Sequence, residues 1–129
     1  MKLRRAVIFA LLALPVIGEH RDARNDEPLD AILARVPEKA RAICNPLAKD
    51  PGSAAAGKKL FVQHCAECHG STAQGAKRGP DLRAASARAK PGELFWILTN
   101  GVVRRGMPPW SKLPEPQRWQ IITWLKSLE

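Results

Sequence analysis

Hydrophobic positions recur at helical spacing in the second half of the chain. The first such segment covers residues 53–65, with Ser53 as a good N-cap and an apolar face formed by Leu60, Phe61 and Cys65. A second, shorter one runs over residues 91–98, with Pro91 suited to the first turn and Asn100-Gly101 suited to a left-handed stop. The pattern predicts a helix at each place.

A third helix is predicted near the C-terminus, from about Glu115 to Leu128. Its apolar stripe consists of Ile121, Trp124, Leu125 and Leu128, flanked by Trp119 and Ile122. Residues 69–90 and 102–114 are rich in turn formers and are predicted to be loops, and neither a strand pattern nor an internal repeat stands out. We therefore expect an all-α fold of three main helices joined by loops.

The N-terminus combines positive charge with an apolar run. Lys2, Arg4 and Arg5 precede the run from Ala6 to Ile17, and a small residue, Gly18, follows it. This is the pattern of a secretory signal peptide, which we place at residues 1–18 with cleavage near Gly18. The alternative is an uncleaved anchor, but a membrane span takes roughly 20 apolar residues and this run is shorter. We expect no stable span after cleavage.

Residues 19–52 alternate charged with apolar positions and contain Pro28, Pro37, Pro46 and Pro51. We interpret them as an N-terminal extension, partly helical or disordered, with one short helix over about 29–36 that Pro37 ends. The compact domain is then residues 53–129. In a domain of that size the side-chain core gives only marginal stability, and a cross-link or a bound cofactor is usually needed as well.

Charge and cysteine content narrow the function. The formal net charge is +9, and it falls to +6 without the leader because three cations and no acid are lost. Nucleic acid is a poor partner for an exported chain, so the excess charge favours acidic protein surfaces or solubility. Three cysteines, an odd number, cannot form a complete disulfide framework.

The clearest chemical signal is Cys65-Ala-Glu-Cys68-His69. Two thiols separated by two residues can each form a thioether with one haem vinyl group, while the imidazole that follows ligates the iron. Zinc binding or a redox dithiol are the alternatives, but zinc needs further ligands at suitable spacing and export disfavours both. The motif predicts one covalently attached haem c, which would also stabilise the core.

A stable electron carrier needs a sixth iron ligand. Met107 is the one methionine after the leader, and it lies in the rigid loop Gly106-Met107-Pro108-Pro109-Trp110. We predict that it ligates the iron from the face opposite His69. A haem sensor or a peroxidase would instead keep this position open, and rapid binding of carbon monoxide or cyanide would indicate one.

The imidazole of His69 needs an acceptor on its other nitrogen. The carbonyl of Pro80, in Gly79-Pro80-Asp81-Leu82, is the candidate, although an ordinary turn is an equal reading of this spacing. Trp110 and Trp96 are expected as walls of the haem pocket or as plain core. His64 is interpreted as a surface residue.

Taken together, these residues resemble the class I c-type cytochromes, in particular bacterial single-haem members, over residues 53–129. The resemblance implies a cytochrome c fold around one haem, with Pro80 accepting from His69 and Met107 as the distal ligand. It also implies a close crossing of the N- and C-terminal helices, made by Gly57, Phe61, Ile121 and Trp124. The extension at 19–52 departs from the pattern of small soluble members.

The expected function is electron transfer in the periplasm by a monomer that cycles between ferric and ferrous iron and has no catalytic site of its own. The alternative is a cytochrome subunit or dedicated acceptor of a periplasmic dehydrogenase complex, with residues 19–52 as its docking arm. Arg104, Arg105 and Lys112 flank the Met107 loop and are expected to ring the haem edge, where an acidic redox partner would dock. Cys44 is expected to be buried, and a thiol that pairs between chains is the minority reading.

Overall fold

The computed structural model describes residues 28–128, so the predicted leader at 1–18 and the start of the extension lie outside the described residues. The fold class predicted from the sequence is confirmed, because the described residues form helices and contain no strand. No helix among them is long and apolar enough to cross a membrane. The elements are α1 (Leu29–Ala34), α2 (Glu38–Arg41), α3 (Ser53–His64), α4 (Ala66–His69), α5 (Leu82–Arg88), α6 (Pro91–Asn100), a 3-10 turn (Val103–Arg105) and α7 (Glu115–Lys126).

The main packing contact is a close crossing of α3 and α7. Gly57 is buried in α3, and a Cβ atom built on it would lie only 1.8 Å from the carbonyl oxygen of Gln120 in α7. One turn further along, the rings of Phe61 and Trp124 pack with their centroids 4.6 Å apart. The crossing expected from Gly57, Phe61, Ile121 and Trp124 is therefore confirmed.

Helix α6 packs along the other side of α7. The rings of Phe95 and Trp119 stack with centroids 4.0 Å apart, and the guanidinium of Arg118 covers the Phe95 ring at 4.6 Å. Ile121 and Ile122 are almost fully buried between the neighbouring helices. This core positions both α3, which leads into the haem motif, and α6, which leads into the Met107 loop.

The described part of the extension is folded against the rest of the chain. Helix α1 ends at Ala34, close to where the sequence predicted, and Ile32 and Val36 are buried. A second helix, α2, follows Pro37 and was not predicted, because a four-residue helix is too short to show a period. Proline ends a preceding helix but is equally suited to begin a new one, since its missing N–H needs no partner there.

Residues 69–90 were predicted to form a loop. This prediction was wrong for the second half of the segment, which contains helix α5. The side chain of Asp81 caps this helix by accepting a hydrogen bond from the backbone N–H of Arg83 at 2.9 Å. The segment is rich in alanine, the best helix former. These two signals were present, but they were obscured by the turn formers just before them.

Three helix ends also differ from the prediction. Ser53 is not the N-cap of α3; Gly52 takes that position, and the buried Ser53 hydroxyl donates to Asp50 at 2.7 Å. Helix α6 does stop before Gly101, whose φ of 71° is positive as expected, although its ψ of −179° lies outside the left-handed helical region. Helix α7 ends at Lys126, two residues before the predicted end.

Candidate functional site

The haem motif forms the turn that joins α3 to α4. Cys65 is the cap residue between α3 and α4, and α4 carries Cys68 and His69, so the three side chains have the i, i+3 and i+4 spacing that places them on one face. All three line a single cavity of about 420 Å³. This volume lies within the range typical of cofactor sites, about 300–1,000 Å³.

Apolar side chains from α3, α5, α6, α7 and the loop after α6 form much of the cavity wall. They are Phe61, Leu82, Leu94, Ile97, Leu98, Val102, Ile122 and Leu125. An apolar cavity with two thiols and one imidazole on its wall matches the chemistry of a porphyrin, whose disc is apolar and whose vinyl groups react with thiols. The residues present therefore fit a covalently bound haem.

The thiols of Cys65 and Cys68 are half-buried and are not joined by a disulfide. Burial, together with the nearby Cys68, raises the pKa of Cys65 to about 12, because a thiolate would lose its hydration there. A thioether carries no charge. The environment that opposes a thiolate at Cys65 is therefore compatible with a thioether sulfur.

A backbone carbonyl orients the ring of His69. Its Nδ1 lies 3.0 Å from the carbonyl oxygen of Pro80. A carbonyl can only accept, so Nδ1 must carry the proton and donate, which leaves the lone pair on Nε2 free to bind a metal. The sequence left two interpretations open for Pro80, a hydrogen bond to His69 or an ordinary turn. The structure contains the hydrogen bond.

Gly79 makes room for this ring. A Cβ atom at position 79 would lie 2.8 Å from both Cε1 and Nδ1 of His69, and 2.7 Å from the carbonyl oxygen of Cys68. Real Cβ atoms do not approach other atoms so closely, so any side chain here would push the imidazole away. Sequence reasoning did not single out this role.

Met107 lies at the end of a tight turn and also lines the cavity. Two antiparallel hydrogen bonds close the turn, from Val102 N–H to the Met107 carbonyl at 3.0 Å and from Met107 N–H to the Val102 carbonyl at 3.2 Å. Gly106 allows the turn by adopting a φ of 86°. Beyond it, the Trp110 N–H donates to the carbonyl of Leu98 at 2.9 Å, which ties the loop to α6.

Trp110 lines the cavity and contacts two basic side chains. The His64 ring packs against it at 5.5 Å, and Lys112 Nζ lies 5.3 Å from its ring centroid. His64 is half-buried and lines the cavity, so its interpretation as a plain surface residue was wrong. Trp96 is half-buried but is not among the described residues that line the cavity.

The turn before α5 borders the cavity with a strong charge pair. The guanidinium of Arg83 binds the carboxylate of Asp81, and this hydrogen bonding, with that from the Arg83 backbone, lowers the pKa of Asp81 to about 2. Both groups are solvent-exposed. The pair therefore orders the N-terminal end of α5 and places no charge inside the cavity.

Sequence reasoning missed two groups of cavity residues. Helix α5 contributes Leu82, Ala85 and Ser86, and α1 contributes Leu29 and Ile32. The second group is not local in sequence, and no pattern could have placed it at the haem motif. Cys44, expected to be buried, is exposed and unpaired within the described residues.

Comparison with known proteins identifies the family. Residues 52–125, more than half of the chain, match the family described as Cytochrome C oxidase, cbb3-type, subunit III. Over 65 residues the chain is 45% identical to the cbb3-type cytochrome c oxidase subunit FixPc of Rhizobium leguminosarum bv. viciae, and over 36 residues it is 53% identical to subunit CcoP of Rubrivivax gelatinosus. These matches cover 48% and 28% of this chain.

The chain spans only about a quarter of these relatives or less, 23% and 12% of their lengths. Among solved structures, cytochrome cL from the methylotrophic bacterium Methylophaga aminisulfidivorans aligns with a TM-score of 0.56 and 30% identity, covering 64% of this chain and 57% of that one. The chain thus belongs to the cytochrome c oxidase, cbb3-type, subunit III family, and it is an electron-transferring c-type cytochrome, a kind of domain that binds haem c covalently and lies outside the cytoplasm.

Proposed function

We propose that this chain is a periplasmic carrier of single electrons with one haem c, bound covalently through Cys65 and Cys68 and ligated by His69 and Met107. The observation that carries the proposal is that these four side chains line one apolar cavity although Met107 is 38 positions away from His69 along the chain. The haem supplies the one-electron couple between ferric and ferrous iron. The chain supplies attachment, ligand geometry and a surface for partners.

The attachment turn and the His69 ring are rigidly held. Because Nδ1 donates to Pro80, the ring has one tautomer and presents Nε2 to the cavity. Gly79 packs directly against the ring and restricts its rotation. Such restraint keeps the ligand in the same position in both oxidation states, so that little reorganisation accompanies electron transfer.

The Met107 loop is held by backbone hydrogen bonds. The Val102–Met107 bridge fixes the backbone that carries the thioether, and the bond from Trp110 to Leu98 fixes the loop beyond it. A thioether ligand favours the reduced iron and so raises the reduction potential. A sulfur held in this way favours carrying electrons over binding an external ligand at the iron.

The surface around the Met107 loop is basic and partly apolar. Arg104 and Lys112 are exposed on either side of the loop, and Arg105 lines the cavity mouth. Val103, 69% exposed, lies beside them. We propose that an acidic redox protein docks here, since opposite charges accelerate a transient encounter without requiring tight binding.

The proposal includes a cleaved leader at residues 1–18, which delivers the chain to the periplasm, and a monomeric carrier. Cys44 bears on the second point because its thiol is exposed. A non-reducing gel of the purified holoprotein, with Cys44→Ser as control, separates a monomer from a disulfide-linked dimer.

A visible and near-infrared spectrum combined with a redox titration tests the central proposal. We expect one covalent haem per chain, one one-electron step, and a near-infrared charge-transfer band of methionine ligation in the ferric protein. Met107→Ala should lose this band, keep the covalent haem and gain rapid binding of carbon monoxide. A native protein that already binds carbon monoxide rapidly at neutral pH contradicts the proposal.

A second candidate is a cytochrome subunit of a larger oxidoreductase. It is favoured by the relatives, which are named as subunits of cbb3-type oxidases. In this reading the same site transfers electrons to a catalytic chain, and the complex rather than this chain performs the reaction. Co-purification of a larger catalytic chain from the native source would favour it, and so would co-purification of a periplasmic dehydrogenase, the catalytic partner in the alternative that the sequence left open.

A further inference from the structure

Residues 28–52, which we call the N-terminal strap, reach the haem cavity. Leu29 and Ile32 of α1 line the same cavity as Cys65 and His69, next to α5. Ile32 is 7% exposed and so is largely shielded from solvent. The strap is thus part of the cavity wall rather than a separate appendage.

A partly buried ion pair holds the strap in place. Arg41 donates to Glu93 at 3.2 Å, and Glu93 is buried at the first turn of α6. The same guanidinium also donates to the carbonyl oxygens of Leu33 at 2.7 Å and Val36 at 3.0 Å. One side chain therefore ties the end of α1 to α6, and we call the Arg41–Glu93 pair the latch.

Two further contacts fix the course of the strap. Gly92 of α6 lies so close to α2 that a Cβ atom there would be 2.1 Å from the carbonyl oxygen of Ala40. Asn45 donates to the Thr123 hydroxyl of α7 at 2.8 Å. An ion pair between Asp30 and Arg88 also joins α1 to α5, but both side chains are largely exposed and the pair stabilises little.

We propose that the N-terminal strap closes the α5 side of the haem cavity, with Leu29 and Ile32 as the covering side chains and the latch as their anchor. The inference rests on the proposed function, because it requires a haem in this cavity. Covering an apolar haem edge excludes water from it. Since water stabilises the more highly charged ferric state, the strap raises the reduction potential and leaves electron exchange to the side of the Met107 loop.

The strap is therefore a positioning and shielding element, rather than the docking arm that the alternative function assigned to residues 19–52. A docking arm would present its apolar side chains to a partner. Here Ile32 and Val36 are buried within this chain. The covered edge also limits which surface a redox partner can use, so the strap acts on partner selection without touching the partner.

The test compares three variants of the full-length holoprotein. Ile32→Ser places a hydroxyl in the apolar cover. Glu93→Gln breaks the latch, because the amide can still accept from the Lys90 N–H but its NH₂ group then faces the Arg41 guanidinium. Ala31→Ser is the matched control, since Ala31 lies in the same helix but is exposed.

The measurements are covalent haem content, reduction potential and the broadening of haem methyl proton signals in the ferrous protein by a soluble gadolinium chelate. We expect both Ile32→Ser and Glu93→Gln to keep full haem content and to increase the broadening severalfold at the α5 side, and we expect Ile32→Ser, which changes no charge, to lower the potential. Ala31→Ser should match the wild type. If Ile32→Ser does not accumulate, Ile32→Ala replaces it with the same expected direction.

Full haem content with unchanged broadening in both the Ile32 and Glu93 variants, and an unchanged potential in the Ile32 variant, overturns the inference while leaving the proposed function intact. A wild-type protein without covalent haem at Cys65 and Cys68 overturns the proposed function, and the inference with it. The two failures are thus distinguished by the haem content of the wild type.

Discussion

Gly57 of α3 lies directly against the backbone of Gln120 in α7, where a Cβ atom would be 1.8 Å from the Gln120 carbonyl oxygen and 2.4 Å from its carbonyl carbon. Backbone atoms cannot rotate away as a side chain can. The two helices can approach this closely only because position 57 has no side chain. Since α3 leads into Cys65 and α7 forms part of the cavity wall, this contact also sets the width of the haem site.

Gly57→Ala should therefore destabilise the protein. Alanine gains about 1 kcal/mol over glycine in a helix interior, but overpacking typically costs about 1–3 kcal/mol, and here the clash is with backbone. We expect a net loss of about 2 kcal/mol in the free energy of unfolding, measured by denaturant titration of the holoprotein. Gly52→Ala is the control, because a Cβ there has only an ordinary contact at 3.7 Å; equal stability of the two variants would refute the argument.

Gly79→Ala should change the reduction potential of the haem as well as the stability of the protein. The added methyl group displaces the His69 ring and weakens the hydrogen bond to Pro80, which makes the imidazole less basic. A less basic ligand favours ferrous iron, so the reduction potential should rise, by no more than the free energy of one hydrogen bond, about 1 kcal/mol. Redox titration measures it, with the exposed Ala76→Ser as control, and an unchanged potential would show that the ring is not held in this way.

The cap of α5 should make stability depend on pH. The pKa of Asp81 is lowered in the folded protein to about 2, from about 3.9 for an unperturbed Asp, so its contribution is complete well above pH 4. It decreases as the pH falls through the unfolded value and is lost below about 2. Asp81→Asn retains a capping oxygen but not the charge, so the stability difference from the wild type should shrink between pH 5 and pH 2.

This difference is measured as the free energy of unfolding of both proteins across that pH range. A difference that stays constant with pH would show that the charge of Asp81 contributes nothing. A difference that grows as the pH falls would reverse the sign of the argument.

The basic surface around the Met107 loop should accelerate electron transfer between the haem and anionic oxidants. Oxidation of the ferrous protein by ferricyanide, a trivalent anion, should slow severalfold between low ionic strength and about 0.5 M salt, where the Debye length is well under 10 Å. Arg104→Gln and Lys112→Gln should each flatten this dependence. Lys39→Gln, an exposed cation on α2, should not, and a rate independent of salt in the wild type would refute a role for these charges.

The sequence was most informative where a contact is local or depends on one unusual residue type. Cys65, Cys68 and His69 are adjacent, so their common face follows from helical spacing alone. Gly57 and Trp124 are distant in sequence, but the resemblance to class I cytochromes supplied their pairing, and the crossing is confirmed. Helix α5 was missed although Asp81 and the alanines signalled it, because short-range turn formers dominated the reading of that segment.

By itself the sequence determined the helical fold, the haem chemistry and Met107 as the candidate sixth ligand, because each of these depends on residue type and spacing. Only the tertiary structure decided that His64 packs on Trp110, that Cys44 is exposed, and that the Arg41–Glu93 pair joins the N-terminal strap to α6. These are contacts between segments far apart in sequence. Their free energy depends on burial and on distances that exist only once the helices have packed, so no local pattern of hydrophobic and polar residues encodes them.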